Sequence, residues 1–317
     1  MKISGFSMVR NGIKLYYPVV PMVRSILPIV DEFVIAIGRG DADDRTREEV
    51  LGIGDPKIRV IDTAWNLDRF PRGMENAHQT DIAKDACTGD WLFYLQADEV
   101  IHENDLPVIR ARCEELLGRT EVEGLLFDYI HFWGDYDHYQ VSHGWYPSEI
   151  RIVRNLPEIH SWESAQSFRW IPDFDGTSYR TKEGTRKLTV ARVNARVHHY
   201  GWVRPPGLMR SKKRSLDAVH VDPDGPPRGG DDAPDSFDYG PLDRLPVFGG
   251  THPMVMRETI AAMDWADDLQ QTGRPDPHRE PHKHERPKYR LLTWLEQRVL
   301  GGRSIGRFEN YTLLKGI

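Results

Sequence analysis

Five residues, Trp91-Leu92-Phe93-Tyr94-Leu95, run apolar or aromatic without a charge and then stop on Gln96-Ala97-Asp98-Glu99. A run this short and this uniform fits a strand buried on both faces, the condition of a strand inside a parallel sheet. Open sheets of that kind bind ligands beyond the carboxyl ends of their strands. The acidic tip is therefore expected at the ligand edge, where it can hold a cation, a ribose hydroxyl or both. The plain alternative is a strand-to-loop junction with solvated carboxylates.

The flanking segments alternate. Lys2 to Val9 reads as a strand ending near Arg10-Asn11-Gly12, and Val19, Val20, Val23, Ile26 and Leu27 follow helical spacing up to Pro28. Phe33 to Ile37 is a second strand, opening into Gly38-Arg39-Gly40-Asp41-Ala42-Asp43-Asp44-Arg45-Thr46, a glycine-rich acidic loop able to turn tightly. A helix over 46–51, a strand over 57–61, a loop carrying Arg69 and Arg72, and a helix over 74–87 come next. Asn104 is placed to cap a helix reaching Leu117, and 124–130 is a further strand. Strands alternating with helices imply a mostly parallel sheet with right-handed crossovers, a Rossmann-like α/β layout. No Gly-x-Gly-x-x-Gly follows the first strand and no Walker loop is present, which argues against a dinucleotide site.

With 317 residues, 39% of them hydrophobic and 28% charged, the chain can bury a core as one large or two modest domains. No apolar run approaches the roughly 20 residues of a membrane span. Met1 to Phe6 shows no secretory pattern, so a cytoplasmic protein is expected, with peripheral membrane contact left open. Cys87 and Cys113 both fall in expected helices and are too few for a cysteine-built zinc site. A net charge of -6 argues against general nucleic-acid binding.

Downstream the composition changes. Four of the nine tryptophans lie in residues 132–170, together with Tyr136, Tyr139 and Tyr146. Aromatic faces of this kind either stack on sugars or fill a core. Ser148 to Arg154 alternates as a half-exposed strand does, and Leu188 to Val197 does the same before His198-His199-Tyr200. Arg204 to Ala218 is a basic helix, read as a solvated face in preference to a contact with phosphate or anionic lipid. Asp222 to Asp243 reads as an extended connection, and a helix is expected from Pro253. His278, His282 and His284 lie in a polar, proline-rich stretch and are not read as a metal site. Leu291 to Leu300 is a short amphipathic helix, read as a packing or partner helix rather than a membrane anchor.

Three features together resemble a family 2 glycosyltransferase with the GT-A fold. Ala77-His78-Gln79-Thr80-Asp81-Ile82-Ala83 through Gly89 to Glu99 resembles the family's stretch up to its Leu-Asp-Ala-Asp-Glu motif. The loop Asp41 to Thr46 resembles the acidic turn after its second strand. Glu149 to Arg154, Trp162-Glu163 and His199-Tyr200 resemble its acceptor-side segments in order. The likeness covers residues 1–216, with a nucleotide-sugar half over 1–130 and an acceptor half over 131–216. Residues 217–317 are expected as a helical and irregular C-terminal extension.

The resemblance implies inverting transfer of a sugar from a nucleotide-sugar donor, UDP- or GDP-linked, to a hydroxyl of a glycan or lipid-linked acceptor. It implies that Asn11, Arg39, Asp41, Asp44, Arg72, Gln79, Gln96 and Asp98 contact the donor. Asp98 and His199 would be ligands of Mn²⁺ or Mg²⁺, and Glu163 the general base, with Asp135 and Asp137 as competitors. Gln96 stands where the family's first motif aspartate is expected, so metal affinity would lean on Asp98, Glu99 and His199. Thr80-Asp81 replaces the family's usual Arg-Asn. Two other readings share the layout: a nucleotidyltransferase, and a non-catalytic protein that binds nucleotide sugars or carbohydrate.

Overall fold

The computed structural model describes residues 1–223, 235–306 and 309–317. In chain order it contains β1 (Ile3–Val9), α1 (Val19–Ile26), β2 (Glu32–Gly38), α2 (Thr46–Leu51), β3 (Ile58–Thr63), α3 (Met74–Asp85), β4 (Trp91–Tyr94), β5 (Glu99–Ile101) and α4 (Leu106–Leu116). Then follow β6 (Gly124–Gly134), β7 (Tyr139–Gln140), β8 (Ser148–Arg154), β9 (Ile159–Trp162), β10 (Ser167–Trp170), β11 (Arg186–Val203) and α5 (Pro206–Val219). The last elements are α6 (Arg257–Ala261), α7 (Pro287–Trp294) with a π-helical turn Leu295–Val299, and β12 (Tyr311–Leu313).

The strands form one sheet in the order β3-β2-β1-β4-β8-β6-β11-β10-β9. It is parallel from β3 to β4, as the alternating strands and helices require. This is the α/β layout expected from the sequence, with helices covering both faces. Ile3, Val23, Ile26, Phe33 and Phe93 fill one side with α1 and α4, while Phe6, Val34, Ala83 and Tyr94 fill the other with α3. Residues 91–94 are fully buried, in keeping with their uncharged run.

Two departures position the site. First, the strand expected over 124–130 does not neighbour β4. Strand β8 lies between them, antiparallel to both. Its alternating sequence suits a half-exposed strand, but six of its seven residues are buried. Of its buried polar residues, Ser148 donates to Asp128 at 2.8 Å and Arg151 makes two 2.7 Å bonds to Glu99, both side chains of that pair being fully buried. A charge-assisted bidentate pair of this kind satisfies groups that water would otherwise have to solvate. Second, β5 was not evident in the sequence. It is three residues long and pairs antiparallel with β11.

Helix α4 starts differently from expectation. A 3₁₀ turn over Glu103–Asp105 precedes it, and His102, rather than Asn104, supplies the capping acceptor, to the Asn104 N–H. Beyond α5, residues 224–234 of the expected extended connection lie outside the described residues. The part that follows packs onto the sheet: Tyr239, Leu242, Met256 and Trp265 join Phe132, Trp133 and Tyr200 in a third, aromatic cluster. Strand β12 adds to β11 in parallel. No helix among the described residues is long and apolar enough to cross a membrane.

Candidate active site

The short strand β5 carries Asp98 to its partner. After Tyr94 the chain turns through Leu95–Asp98, with the Glu99 N–H bonded to the Gln96 carbonyl at 3.0 Å, and returns with Glu99 opposite His199. The Tyr200 N–H closes the register on the Asp98 carbonyl at 2.8 Å. The Asp98 carboxylate and the His199 ring, both buried, are thus held side by side, Oδ1 and Nε2 lying 3.8 Å apart. On the other carboxylate oxygen, Oδ2, sits Lys212 Nζ at 3.1 Å, which also donates to the Gly201 carbonyl at 2.6 Å.

A hydrogen-bond chain fixes the tautomer of His199. His131 Nε2 lies 2.7 Å from the Tyr146 carbonyl, which only accepts, so Nε2 carries the proton. His131 Nδ1 is then an acceptor, and the 3.0 Å contact between the two Nδ1 atoms is a bond donated by His199. With its proton on Nδ1, His199 turns an unprotonated Nε2 toward Asp98. Burial lowers His131 to about 3 and His199 to about 4, so both rings are neutral near pH 7. Burial pushes the Asp98 carboxyl up, but Lys212, His199 and Arg204 together outweigh it and hold the group well below the usual carboxylate range. Burial and then Arg204 pull the Lys212 ammonium down, against the attraction of Asp98.

A carboxylate oxygen and an imidazole lone pair facing each other form a donor set that a divalent cation matches. The space between them is kept open by Gly201: a Cβ there would lie 2.5 Å from His199 Nε2 and 2.7 Å from Asp98 Oδ2. Among the described residues no group of three or more His, Cys, Asp or Glu side chains converges on one metal position. Asp98 and His199 therefore offer two ligands, leaving the other positions to substrate oxygens or water. Glu99 is not available as a third, since Arg151 and the Tyr129 hydroxyl occupy its carboxylate.

Asp98, His199 and Lys212 line a 390 Å³ cleft with Arg10, Tyr17, Trp65, Asn76, Gln96, Trp145, Tyr146, Ser164 and Trp202. Of the residues expected to contact the donor, Gln96 and Asp98 are in its wall. Gln96 Nε2 donates to the Ala165 carbonyl at 2.9 Å, tying the acidic tip to the loop that carries Glu163. Glu163 itself lines an adjoining 310 Å³ pocket that shares Trp145, Tyr146 and Gln166 with the cleft. That loop is conformationally tense, for Glu163 and Ala165 both have positive φ, 56° and 59°. Buried Trp162 Nε1 and Ser167 Oγ, in the same pocket, have no hydrogen-bond partner among the described residues.

The other expected contacts lie elsewhere. Asn11 accepts from the Asp41 N–H at 2.8 Å, Asp41 pairs with Lys14 at 2.7 Å, and Asp44 takes the Lys14 N–H and the Thr46 hydroxyl. These three residues brace the loops after β1 and β2 against each other. Arg39 is exposed, its carbonyl accepting from Arg10 Nε. Arg72 pairs with Asp222 at 2.8 Å. Gln79 is buried between Thr63 and Glu75. Asp135 takes His138 and two backbone N–H groups, while Asp137 is exposed.

Lys212, His131 and Gly201 were not read from the sequence. Lys212 had a signal: Met209, Lys212, Leu216 and Val219 recur at helical spacing, which puts the lysine on the apolar stripe of α5 rather than its solvated face. Glu149, a second carboxylate, also lines the Glu163 pocket.

No protein-family model matches the chain, and no curated protein sequence does either. Distant structural likenesses exist. S. aureus TarS in complex with UDP-GlcNAc is 20% identical over 42% of this chain and 36% of its own, with a TM-score of 0.30. Glucosyl-3-phosphoglycerate synthase from Mycobacterium tuberculosis, in complex with Mn²⁺, UDP and phosphoglyceric acid, is 18% identical over 40% and 43%, with a TM-score of 0.29. The mannosyltransferase PcManGT from Pyrobaculum calidifontis, in complex with GDP-Man and Mn²⁺, is 16% identical over 39% and 34%, with a TM-score of 0.31. The chain spans less than half the length of each.

Proposed function

We propose that this chain is an inverting glycosyltransferase of the GT-A kind, moving a sugar from a nucleoside-diphosphate donor to a hydroxyl acceptor. One observation carries the reading. At the carboxyl edge of a parallel sheet, an ionised Asp98 faces the unprotonated Nε2 of His199 across a gap that Gly201 keeps open. The resemblance of the Gln96-Ala97-Asp98-Glu99 tip and its neighbours to family 2 enzymes points to the same chemistry.

Asp98 and His199 would hold a divalent cation, Mn²⁺ suiting the mixed oxygen and nitrogen set. When bound, such an ion supplies positive charge to the departing diphosphate. Lys212 contributes a second, tethered cation at the same edge. The residues around the cleft position the reactants. Trp65, Trp145 and Trp202 offer aromatic faces to base and sugar, and Gln96 fixes the distance between the acidic tip and the 163–166 loop.

In the transfer, the acceptor hydroxyl oxygen forms a bond to the anomeric carbon as the bond from that carbon to the phosphate oxygen breaks. The leaving electron pair stays on the diphosphate, and the hydroxyl proton passes to a carboxylate in the adjoining pocket. Glu163 is the assigned base, and Glu149 is the other carboxylate within that pocket.

A thermal-shift screen of UDP-, GDP-, CMP- and dTDP-sugars with and without Mn²⁺ tests the reading. A shift with at least one donor, enlarged by Mn²⁺, is expected. No shift with any donor sinks it. Once a donor is known, Glu163→Gln is expected to slow transfer by about a hundred-fold or more with donor binding intact. Loss in Glu149→Gln instead would move the base to β8.

A further inference from the structure

We propose that the outward face of α7 and the turn that follows it dock on an anionic lipid surface. Ten large hydrophobic side chains are exposed among the described residues, and five of them, Leu291, Trp294, Val299, Leu300 and Ile305, fall within this one segment. Leu291, Trp294 and Val299 are each more than half exposed. Scattered apolar residues are ordinary on a protein surface, but concentration in one segment marks an interaction site.

The segment's inner side is anchored, so the exposure is built in. Thr293 Oγ1 accepts from the His143 N–H at 2.9 Å. Glu296, buried, takes both His143 Nδ1 and the Ile305 N–H at 2.7 Å. Leu291, Trp294 and Arg298 are all exposed, Trp294 and Arg298 at the rim of a cleft against residues 140–142 and 244–246.

Charge decides what covers that face. Lys288, Arg290, Arg298 and Arg303 are all exposed beside the apolar side chains. Between residues 287 and 306 the only carboxylate is Glu296, which points inward. This local excess of cations sits on a chain whose net charge is -6. Tryptophan and aliphatic side chains rimmed by Lys and Arg match the boundary of an anionic bilayer, where apolar atoms enter the acyl region and cations meet headgroup phosphates. A second copy of the chain fits less well, because a two-fold interface would set the same four cations against themselves. The short helix lies in the plane of the interface and does not span it. Docking does not depend on the glycosyltransferase reading. His143 and Gly144, on the inner side of this segment, line the pocket that holds Glu163, so docking would bring that pocket beside the lipid surface.

Flotation of the full chain with vesicles of phosphatidylcholine alone, and of phosphatidylcholine mixed with phosphatidylglycerol, tests the proposal. Binding to the mixed vesicles, weakened by salt, is expected, with little binding to the neutral ones. Leu291→Ser with Trp294→Ser, and separately Arg290→Glu with Arg298→Glu, should each bind at least about ten-fold more weakly. Because these side chains are exposed, far-UV circular dichroism and melting temperature should stay at wild-type values, which separates lost docking from lost folding. Failure of the wild-type chain to bind phosphatidylglycerol vesicles overturns the proposal. So does undiminished binding by both variants. Concentration-dependent dimerisation removed by the same substitutions, without vesicle binding, assigns the face to a second copy instead.

Discussion

His199 donates its Nδ1 proton to His131 Nδ1 across 3.0 Å, and this bond determines what the opposite nitrogen can do. Without an acceptor at position 131 the proton can move to Nε2, where Asp98 attracts it and the two groups bond to each other instead of to a cation. His131→Phe is therefore expected to weaken Mn²⁺ binding by about ten- to a hundred-fold. His131→Asn, which keeps an acceptor, should lose less. Titration of Mn²⁺ followed by electron paramagnetic resonance checks this, and equal affinity in His131→Phe and wild type rejects the tautomer argument.

Gly201 has a negative or extended φ, so alanine is tolerated by the backbone there. The side chain is what does not fit, since its Cβ would press on His199 Nε2 and Asp98 Oδ2. Gly201→Ala is expected to retain the fold while losing Mn²⁺ binding, at least about ten-fold in affinity. Wild-type Mn²⁺ affinity in this variant would show that the cation does not enter the gap.

The layout was legible because its signals are local. The uncharged run at 91–95 and the alternation of strands with helices mark the parallel half of the sheet, and each expected element from β1 to β4 is present. What stayed hidden depends on long-range pairing. Three residues of β5 carry no periodicity, yet they place Asp98 beside a histidine about a hundred positions later. Strand β8 reads as half-exposed because its polar residues alternate, and the partner that lets Arg151 be buried, Glu99, lies 52 positions away. The same pair removes Glu99 from the acidic tip. Lys212 was masked by its neighbours: a helix bearing Arg210, Lys213 and Arg214 looks solvated until its apolar stripe is traced. The likeness of the 41–46 loop to a donor-binding turn did not reveal that Asn11 accepts from the Asp41 N–H and that Lys14 pairs with the carboxylates of Asp41 and Asp43.

Lys212 pairs with the carboxylate of Asp98, on which the proposed divalent cation would also draw. Lys212→Met should leave Asp98 to the metal alone, tightening Mn²⁺ binding while weakening UDP binding in the presence of EDTA, each by about ten-fold. The opposite directions matter, because a lysine that served only to pack α5 would change stability without separating the two affinities. Isothermal titration of UDP with Mn²⁺ and with EDTA reads both. Parallel losses in the two titrations would reject the role.

Buried neutral histidines make stability fall with acid. His131, His198 and His199 are lowered from 6.5 to about 3, 3 and 4, chiefly by burial. In the unfolded chain each ring takes a proton near 6.5, while the folded chain resists until much lower pH. Stability is therefore full above about pH 6.5 and declines as pH falls toward the folded values, by about 2 kcal/mol per independent ring at pH 5. His131 and His199 share a proton and will not add simply. His198 lies apart from them, beside His102 and stacked on Phe132, so its share is separable. Urea unfolding of wild type and His198→Phe at about pH 7.5 and pH 5 should show a smaller acid loss in the variant, by about 2 kcal/mol. An unchanged difference between the two pH values would mean that His198 is already protonated, or solvated, in the folded chain.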